Sequence, residues 1–427
     1  MEEQVKDLYT KYPYPEYQEQ TEKGDVPNFF LISTEQLLHY VYKGHKNFEN
    51  FRILDVGCGI GNNVISLAYL FKNYTGSFVN GIDLSSESIR ITNYRIKKYG
   101  LTNVDAKVMS LFDIDEESMG LFDLIICTGV LHHLEDPNSG LQKLKSLLKP
   151  DGSMVLMLYG TIGRTGVYQM QDLLKTVTKK TDSYSKKIEC FKCLYSNMPS
   201  SNWFKKNEHI ITDHLVSSGG IVDLLLHVND LSYNVKEVYK FVENSGMNIV
   251  EFDITDRYKY KTVLKNIDYS NISNEDKYYI NELYYGDICK HQFIVSNKTD
   301  TVAQLEDLNN KLTYCLIEYN DVLNIIEWHA KENKGTELIP LNVSINPHYK
   351  FNKDIGFKLS TRFSLDISIN EEICFILKNI DGKTTTYDIF DNLRRSLNVK
   401  HTNVQLLNMF RPTYNIFQMA DFILLKK

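Results

Sequence analysis

The sequence predicts an α/β protein in which a mostly parallel, seven-stranded sheet carries helices on both faces and is followed by a second domain. Short apolar segments alternate with segments of helical spacing between residues 51 and 158, which is the pattern of a parallel sheet. The apolar segments are rich in Val, Ile, Leu and Phe, as expected for strands covered on both faces. At 427 residues the chain is also too long for one ordinary domain.

The order of the elements follows from these local patterns. The predicted strands, the last two after a long interruption, are Phe51–Val56, Ser77–Ile82, Val104–Met109, Phe122–Cys127, Ser153–Leu158, Asn248–Asp253 and Gln292–Ser296. The helices predicted between them are Asn62–Phe71, Ser85–Tyr99, Asn138–Leu148 and Val235–Asn244. Ser85 is a suitable N-cap for the second of these helices, and Gly100 is suited to end it.

Three regions fall outside this rhythm. Residues 1–50 form an N-terminal arm, and residues 160–232 are polar, Lys-rich and helical in places, which indicates a helical cap inserted into a domain spanning 51–298. Residues 299–427 form an accessory domain, α or α+β and winged-helix-like. There we expect one or two helices over Val302–Lys331 and irregular structure over 332–362. The tail is then predicted to form a helix over Ile369–Ile380, a turn over Asp381–Thr384, a helix over Tyr387–Leu397 and a strand over Val404–Met409.

Composition excludes some classes of function. The net charge of −6 and the scattered, short basic clusters argue against nucleic-acid binding. No run approaches the roughly 18 apolar residues of a membrane helix, and no secretory signal is recognisable, so we expect a cytoplasmic protein. Seven cysteines suit free thiols. Cys190 and Cys193 have no second pair at ligand spacing, so no metal site is predicted.

The segment from Ile53 to Gly61 carries the strongest chemical signal. An apolar strand runs into a turn containing Gly57 and Gly59, where the absence of Cβ lets the backbone approach a ligand, and a helix follows. Asp55 stands two residues before the first glycine, where a carboxylate can act on an ammonium group. Asp83 ends the next strand, which suits a carboxylate that accepts ribose hydroxyls. A dinucleotide-binding protein has similar features, so these residues do not decide the cofactor.

Four segments in order extend the pattern: LDVGCGIG, GIDLS, FDLIICTGVLHHL and LLKPDGS. Together they resemble the class I S-adenosylmethionine-dependent methyltransferases, closely over about residues 50–160, which implies a Rossmann-like fold and S-adenosyl-L-methionine as cofactor. Ser110 departs from the acidic residue that many relatives carry there. The cofactor contacts that the resemblance implies are Asp55, Gly57, Cys58, Gly59, Asp83, Leu84, Ser110, Leu111, Thr128, Gly129 and His133.

The acceptor site is less determined. The resemblance places a His-His pair near the cofactor, which favours shaping of the pocket over proton transfer. The arm holds two prolines between aromatic residues, which predicts an extended segment that either covers the cofactor or packs on the sheet. The glycine-rich segment after the fifth strand leads to the cap. The catalytic candidates are Tyr14, His132, His133 and Tyr159, and the substrate-contact candidates are Tyr12, Tyr14, Arg164 and Tyr168.

Three functional hypotheses stay open. The Tyr-Pro-rich arm ahead of the glycine loop also resembles the rickettsial-type outer-membrane-protein lysine methyltransferases, which implies a protein lysine as methyl acceptor. A small-molecule acceptor is the alternative, because a His-His-Leu sequence after the fourth strand is frequent among such enzymes. A non-catalytic binding or scaffold protein is the third. Residues 299–427 are interpreted as an interaction module, an acceptor clamp or the surface of a homodimer.

Overall fold

The computed structural model describes residues 2–12, 17, 31–252, 271–315, 319, 322–323, 340–345, 361–366, 369–419 and 421–427. The chain divides into two compact units. The described residues of the first lie within 2–17, 48–252 and 271–297. Those of the second lie within 31–47 and 298–427. Residues 31–47 therefore group with the C-terminal region, whereas the sequence suggested one arm over 1–50.

The first unit is built on the predicted seven-stranded sheet. Its strands are β1 (Arg52–Val56), β2 (Phe78–Asp83), β3 (Val104–Val108), β4 (Phe122–Thr128), β5 (Leu148–Tyr159), β6 (Asn248–Phe252) and β7 (Lys290–Ser296). Their order is β3-β2-β1-β4-β5-β7-β6. Neighbours from β3 to β5 run parallel, and β7 runs antiparallel to β5 and β6. The strand order reverses beside β1, so the ends of β1 and β4 open a crevice there.

Helices cover the sheet, and most of them begin after a residue whose side chain accepts hydrogen bonds from their free N–H groups. Those nearest the sheet are α3 (Asn62–Phe71), α4 (Ser86–Lys98), α6 (Pro137–Ser146), α12 (Val235–Asn244) and α13 (Asn274–Tyr285), with the short α5 (Glu116–Met119) before β4. The Ser85 hydroxyl accepts from the Ser88 N–H at the start of α4, and Asn234 and Glu237 form a capping box at the start of α12. The four predicted helices correspond to α3, α4, α6 and α12, although α6 ends at Ser146, two residues before the predicted end, because β5 begins at Leu148; α5 and α13 were not predicted.

The N-terminal segment differs from the expected extended arm. Residues Glu2–Lys11 form helix α1, with acidic residues in its first turn and an ion pair between Asp7 and Lys11. The helix ends at Lys11 because Pro13 disfavours the helical conformation of the residue before it, Tyr12. The predicted lid residue Tyr14 lies outside the described residues.

Residues 165–225 supply the predicted helical cap. Its helices are α7 (Thr165–Val177), α8 (Tyr184–Ser196), α9 (Trp203–Lys206), α10 (Asp213–Val216) and α11 (Ser218–Leu225). They share an apolar core to which Leu8 of α1 contributes a fully buried side chain. Helix α1 is therefore fixed against the cap.

The second unit is α+β, as predicted, but several of its parts differ from the sequence interpretation. Its elements are α2 (Thr34–Gln36), a π-helix (Leu37–Val41), β8 (Lys311–Tyr314), β9 (Pro340–Ile345), β10 (Thr361–Asp366), α14 (Glu371–Lys378), α15 (Thr386–Leu397), α16 (Asn403–Met419) and β11 (Ile423–Lys426). The helix expected from Val302 is wrong over the described 302–315, because β8 pairs antiparallel with the distant β11. The antiparallel pair β9–β10 replaces part of the expected irregular stretch. Val404–Met409 is helical, not a strand.

Buried polar contacts explain why residues 31–47 belong to the second unit. The Gln36 amide donates to an Asp421 carboxylate oxygen over 2.8 Å, and the Tyr40 hydroxyl donates to the other oxygen. The Leu425 N–H donates to the Nδ1 atom of His39 over 3.2 Å. No helix among the described residues is long and apolar enough to cross a membrane.

Candidate active site

A cavity of about 710 Å³ opens in the first unit at the carboxyl ends of the parallel strands. It is lined by the residues that follow β1, β2, β3 and β4, together with the last residue of β5. Helices α1, α10 and α11 supply lining residues from the side of the N-terminus and the cap. This is the edge at which open α/β sheets bind their ligands.

The glycine loop forms one wall of the cavity. Gly57 has φ +69°, and a Cβ built on it would lie 2.2 Å from the Val130 side chain, so only glycine fits here. The Asp83 carboxylate accepts the Gly59 N–H and the Ser85 N–H, each over 2.8 Å. Asp83 therefore fixes the loop to the end of β2 while it lines the cavity. Cys58 also lines the cavity from the loop.

Asp55 lies behind the loop and does not line the cavity. Its side chain is fully buried, and burial raises the pKa of Asp55 to about 8, although the nearby Asn63 amide lowers it. A buried carboxyl group that is protonated at neutral pH becomes ionised when a cation approaches. The position therefore fits an ammonium group bound beside the loop.

The other side of the loop offers an apolar slot. Leu84, Leu111 and Phe112 line it, with Ser110 at the start of a short 3₁₀ helix where the Ser110 hydroxyl accepts the Phe112 N–H over 3.2 Å. The Ser110 hydroxyl therefore caps the short helix. Without the acidic side chain that many relatives carry at this position, backbone groups are left to contact a ligand in the slot. Thr128, the last residue of β4, and Gly129 line the cavity beside the loop.

His133 lines the far end of the cavity and is held in one tautomer. Its Nδ1 atom lies 2.7 Å from the Asn229 carbonyl oxygen, so Nδ1 carries the proton and Nε2 is an acceptor. Burial lowers the pKa of His133 to about 4. The ring stacks on His227 with 3.7 Å between centroids. His133 is thus neutral at physiological pH, with Nε2 able to accept a proton.

Tyr159, the last residue of β5, is buried between two groups. The Arg164 guanidinium lies 3.6 Å from the centre of its ring, and His132 stacks on it at 4.0 Å. Arg164 also donates to Asp230 over 3.3 Å and to the Tyr168 hydroxyl over 3.2 Å. Arg164 lines the cavity, but these contacts make it a support for Tyr159 rather than an open anion clamp.

Several predicted candidates do not reach the cavity. His132 is fully buried behind Tyr159, and Tyr168 contacts Arg164 on the side of the cap. Tyr12 packs edge-on against Tyr184 of α8 with 5.6 Å between ring centroids. These three residues are absent from the cavity wall among the described residues.

Among the lining residues that the sequence analysis missed, two form a hydrogen-bonded pair. Tyr9 of α1 and Asp223 of α11 both line the cavity, and the Tyr9 hydroxyl donates to Oδ1 of Asp223 over 2.7 Å. They lie 214 residues apart in the sequence. The available signal was an acidic residue within the otherwise apolar segment Ile221–Leu226, which is unusual for a buried helix.

Carboxylates dominate the charged lining. Among the described residues, the charged side chains on the wall are Glu2, Asp83, Glu135, Asp136, Asp213, Asp223, Arg164 and Lys290. The two cationic groups are thus outnumbered by six carboxylates, and Arg164 is already paired with Asp230. The field of such a cavity favours cationic ligands. No group of three or more potential metal ligands occurs in the described part of the chain, and the seven cysteines there form no disulfide.

Comparisons with known proteins agree with this geometry. A family model described as a methyltransferase domain matches residues 47–246. An uncharacterized protein of Synechococcus is 26% identical over 301 residues, which cover 68% of this chain and 70% of that protein. A ubiquinone biosynthesis O-methyltransferase of Haemophilus ducreyi is 33% identical over 147 residues, or 32% of this chain. The chain spans only 59% of the length of that enzyme.

The structural comparison extends over more of the chain. PKMT2 of Rickettsia typhi superposes on 91% of this chain and 74% of its own, with a TM-score of 0.58 and 16% identity. The same protein has also been solved in complex with AdoHcy, with the same scores. At this identity the likeness shows a shared fold.

Proposed function

Because residues 47–246 match a methyltransferase domain, we propose that the chain is a class I S-adenosylmethionine-dependent methyltransferase that methylates the side-chain amine of a lysine in a protein. The carboxylate-rich lining of the cavity carries this proposal, since a lysine side chain arrives as a cation. The Tyr-Pro-rich arm and the fold shared with PKMT2 of Rickettsia typhi give independent support.

The loop side of the cavity suits the cofactor. In this proposal Asp83 accepts the ribose hydroxyls with the lone pairs that Gly59 and Ser85 leave open, and Leu84 and Leu111 pack against the adenine. Asp55 ionises beside the ammonium group of the methionine portion. S-adenosylmethionine, when bound, supplies a methyl group on a positively charged sulfur that needs no further activation.

The protein must also orient the acceptor and remove one proton from its amine. An amine must be neutral to attack, and the Nε2 atom of His133 is an acceptor on the cavity wall. Because its pKa is about 4, His133 holds a transferred proton only briefly and passes it to water. Tyr159, fixed by Arg164, limits the width of the acceptor end. Alignment and exclusion of water are the main sources of rate enhancement here.

A small-molecule acceptor is the second candidate, and one observation favours it. The ubiquinone biosynthesis O-methyltransferases match the methyltransferase domain with up to 33% identity. A neutral His133 with a free Nε2 also suits removal of a proton from a phenolic hydroxyl. A scaffold role without catalysis is the third candidate. Binding of the cofactor without transfer to any acceptor would support that role.

A labelling experiment separates these candidates. The purified protein is incubated with methyl-labelled S-adenosylmethionine and a lysate of the source cells, and the products are resolved on a denaturing gel and in a small-molecule fraction. A matched lysate has its lysines acetylated beforehand. We expect label in a discrete protein band of the untreated lysate and none in the acetylated one. Label in the small-molecule fraction alone, or an equally labelled band after acetylation, would refute the lysine proposal.

A further inference from the structure

One end of the cavity brings together side chains from three separate elements. Tyr9 comes from α1, Asp223 from the cap helix α11, and Tyr159 from the end of β5. The Tyr9 ring lies 5.7 Å from that of His227, which stacks on His133. The Tyr9–Asp223 pair therefore lies near the proposed proton acceptor, while the Tyr9 carbonyl oxygen accepts the Ser85 hydroxyl over 3.3 Å.

Asp223 is an unusual residue for its surroundings. Its neighbours Ile221, Val222, Leu224 and Leu225 are all buried in the core of the cap, and Asp223 itself is only 6% exposed. Burying a carboxylate among apolar groups costs free energy unless it is hydrogen-bonded or paired. Tyr9 satisfies Oδ1, and within the described residues no hydrogen bond is made by Oδ2. A cationic ligand in the cavity would provide the missing partner.

We propose that Asp223, oriented by Tyr9, is the residue that binds the ammonium group of the acceptor and so selects an amine over a hydroxyl. This inference rests on the proposed lysine methylation and names the residue responsible for it. A charged N–H donor from the ligand would occupy Oδ2, and the Tyr9 hydroxyl would keep the carboxylate in place. A neutral hydroxyl of similar size gains much less from the same contact.

The charge of Asp223 depends on the groups around it. Burial raises the pKa of Asp223 to about 6, and the Tyr9 hydrogen bond and the charge of Arg164 lower it. Asp213 of α10 and Asp230 raise it, and Tyr159 faces the pair from β5. The carboxylate is therefore ionised at neutral pH and protonated in mild acid. Amine binding should rise with pH through about 6 and then stay constant until the free amine, with a pKa of about 10.4, loses its proton.

The test measures binding of n-butylamine, a minimal lysine side chain, to the full-length protein saturated with S-adenosylhomocysteine. Asp223→Asn preserves the shape and can still accept the Tyr9 hydroxyl. We expect it to weaken n-butylamine binding by about tenfold or more and to abolish the pH dependence near 6, with 1-butanol binding unchanged. Asp172→Asn is the control. It removes an exposed carboxylate of cap helix α7 that lies outside the cavity wall and pairs with Lys175, so it should leave the affinity within about twofold of the wild type.

A second variant guards against loss of folding. Tyr9→Phe keeps the ring but removes the hydroxyl that stabilises the Asp223 carboxylate, so the pH midpoint of amine binding should rise by about one unit. A purely structural role for Tyr9 would lower stability without moving that midpoint. Wild-type amine affinity and pH dependence in Asp223→Asn would overturn the inference even if lysine labelling in the lysate persists. Failure of the proposed function would show instead as loss of that labelling in the wild type.

Discussion

Asp83 offers the sharpest test of how the cofactor is held. Its two carboxylate oxygens accept the Gly59 and Ser85 N–H groups, both over 2.8 Å, from inside the cavity wall. Asp83→Asn keeps the size of the side chain but replaces one acceptor oxygen with an NH₂ group. That group cannot accept either backbone N–H, so one loop contact is lost along with the charge.

The magnitude follows from these contacts. A hydrogen bond to a charged group contributes about 1.5–3 kcal/mol, and the ribose contact proposed for the same carboxylate weakens as well. Because the variant retains one of the two loop contacts, we expect a loss of about 1.4–2.8 kcal/mol in cofactor binding. This corresponds to a roughly 10- to 100-fold weaker affinity.

Calorimetric titration with S-adenosylhomocysteine measures this loss directly. Asp105→Asn is a suitable control, because Asp105 lies on the neighbouring strand β3 and is partly exposed in an ion pair with Lys107. That variant should bind like the wild type. A folded Asp83→Asn protein whose affinity stays within about twofold of the wild type would show that the carboxylate holds neither the loop nor the ribose.

Three further changes test other parts of the site. Gly57→Ala should abolish cofactor binding, because its Cβ would overlap the Val130 side chain. Gly100→Ala is the control: Gly100 has φ +62° and open space around it, so this variant adds only backbone strain and should keep the wild-type affinity in the same titration. Equal affinities in the two variants would contradict this. Asp55, with a pKa of about 8, should release up to about one proton when S-adenosylhomocysteine binds at pH 7, so affinity should rise with pH towards 8. Calorimetry in buffers of different ionisation enthalpy measures the release, and an unchanged release in Asp55→Asn would assign it elsewhere. Arg164→Met should lower the free energy of unfolding in urea by about 3–5 kcal/mol, because it leaves buried Asp230 without its cation. Wild-type stability with a raised KM for the acceptor would instead make Arg164 a substrate contact, as the sequence predicted.

The sheet and its glycine loop were predictable because their signals are local. Helices α3 and α12 begin and end at the residues predicted, since the glycine loop and the Asn234 cap mark the first residues of each. The loop residues and the ends of β2 and β4 meet at one edge because parallel strands place their carboxyl ends together.

The parts that were missed depend on partners distant in the sequence. Strand β8 was interpreted as helical because its periodicity is ambiguous and its partner β11 lies at the other end of the second unit. Helix α1 was missed because the prolines that follow it dominate the local pattern. The Tyr9–Asp223 pair joins residues 214 positions apart, and no local rule relates them.

Two buried carboxyl groups, Asp55 behind the glycine loop and Asp223 on the cavity wall, have different pKa values. Asp55, behind the loop, has a pKa of about 8 and stays protonated at neutral pH until an ammonium group lies beside it. Asp223 has a pKa of about 6, because Tyr9 and Arg164 offset part of the cost of its burial, and it is already ionised. His133 is neutral at the same pH, so it adds no positive charge that would offset the negative charge of Asp223 at the acceptor end before a ligand binds. A cationic acceptor is therefore attracted to that end of the cavity, while the carboxyl group behind the loop gains its charge only as the cofactor binds.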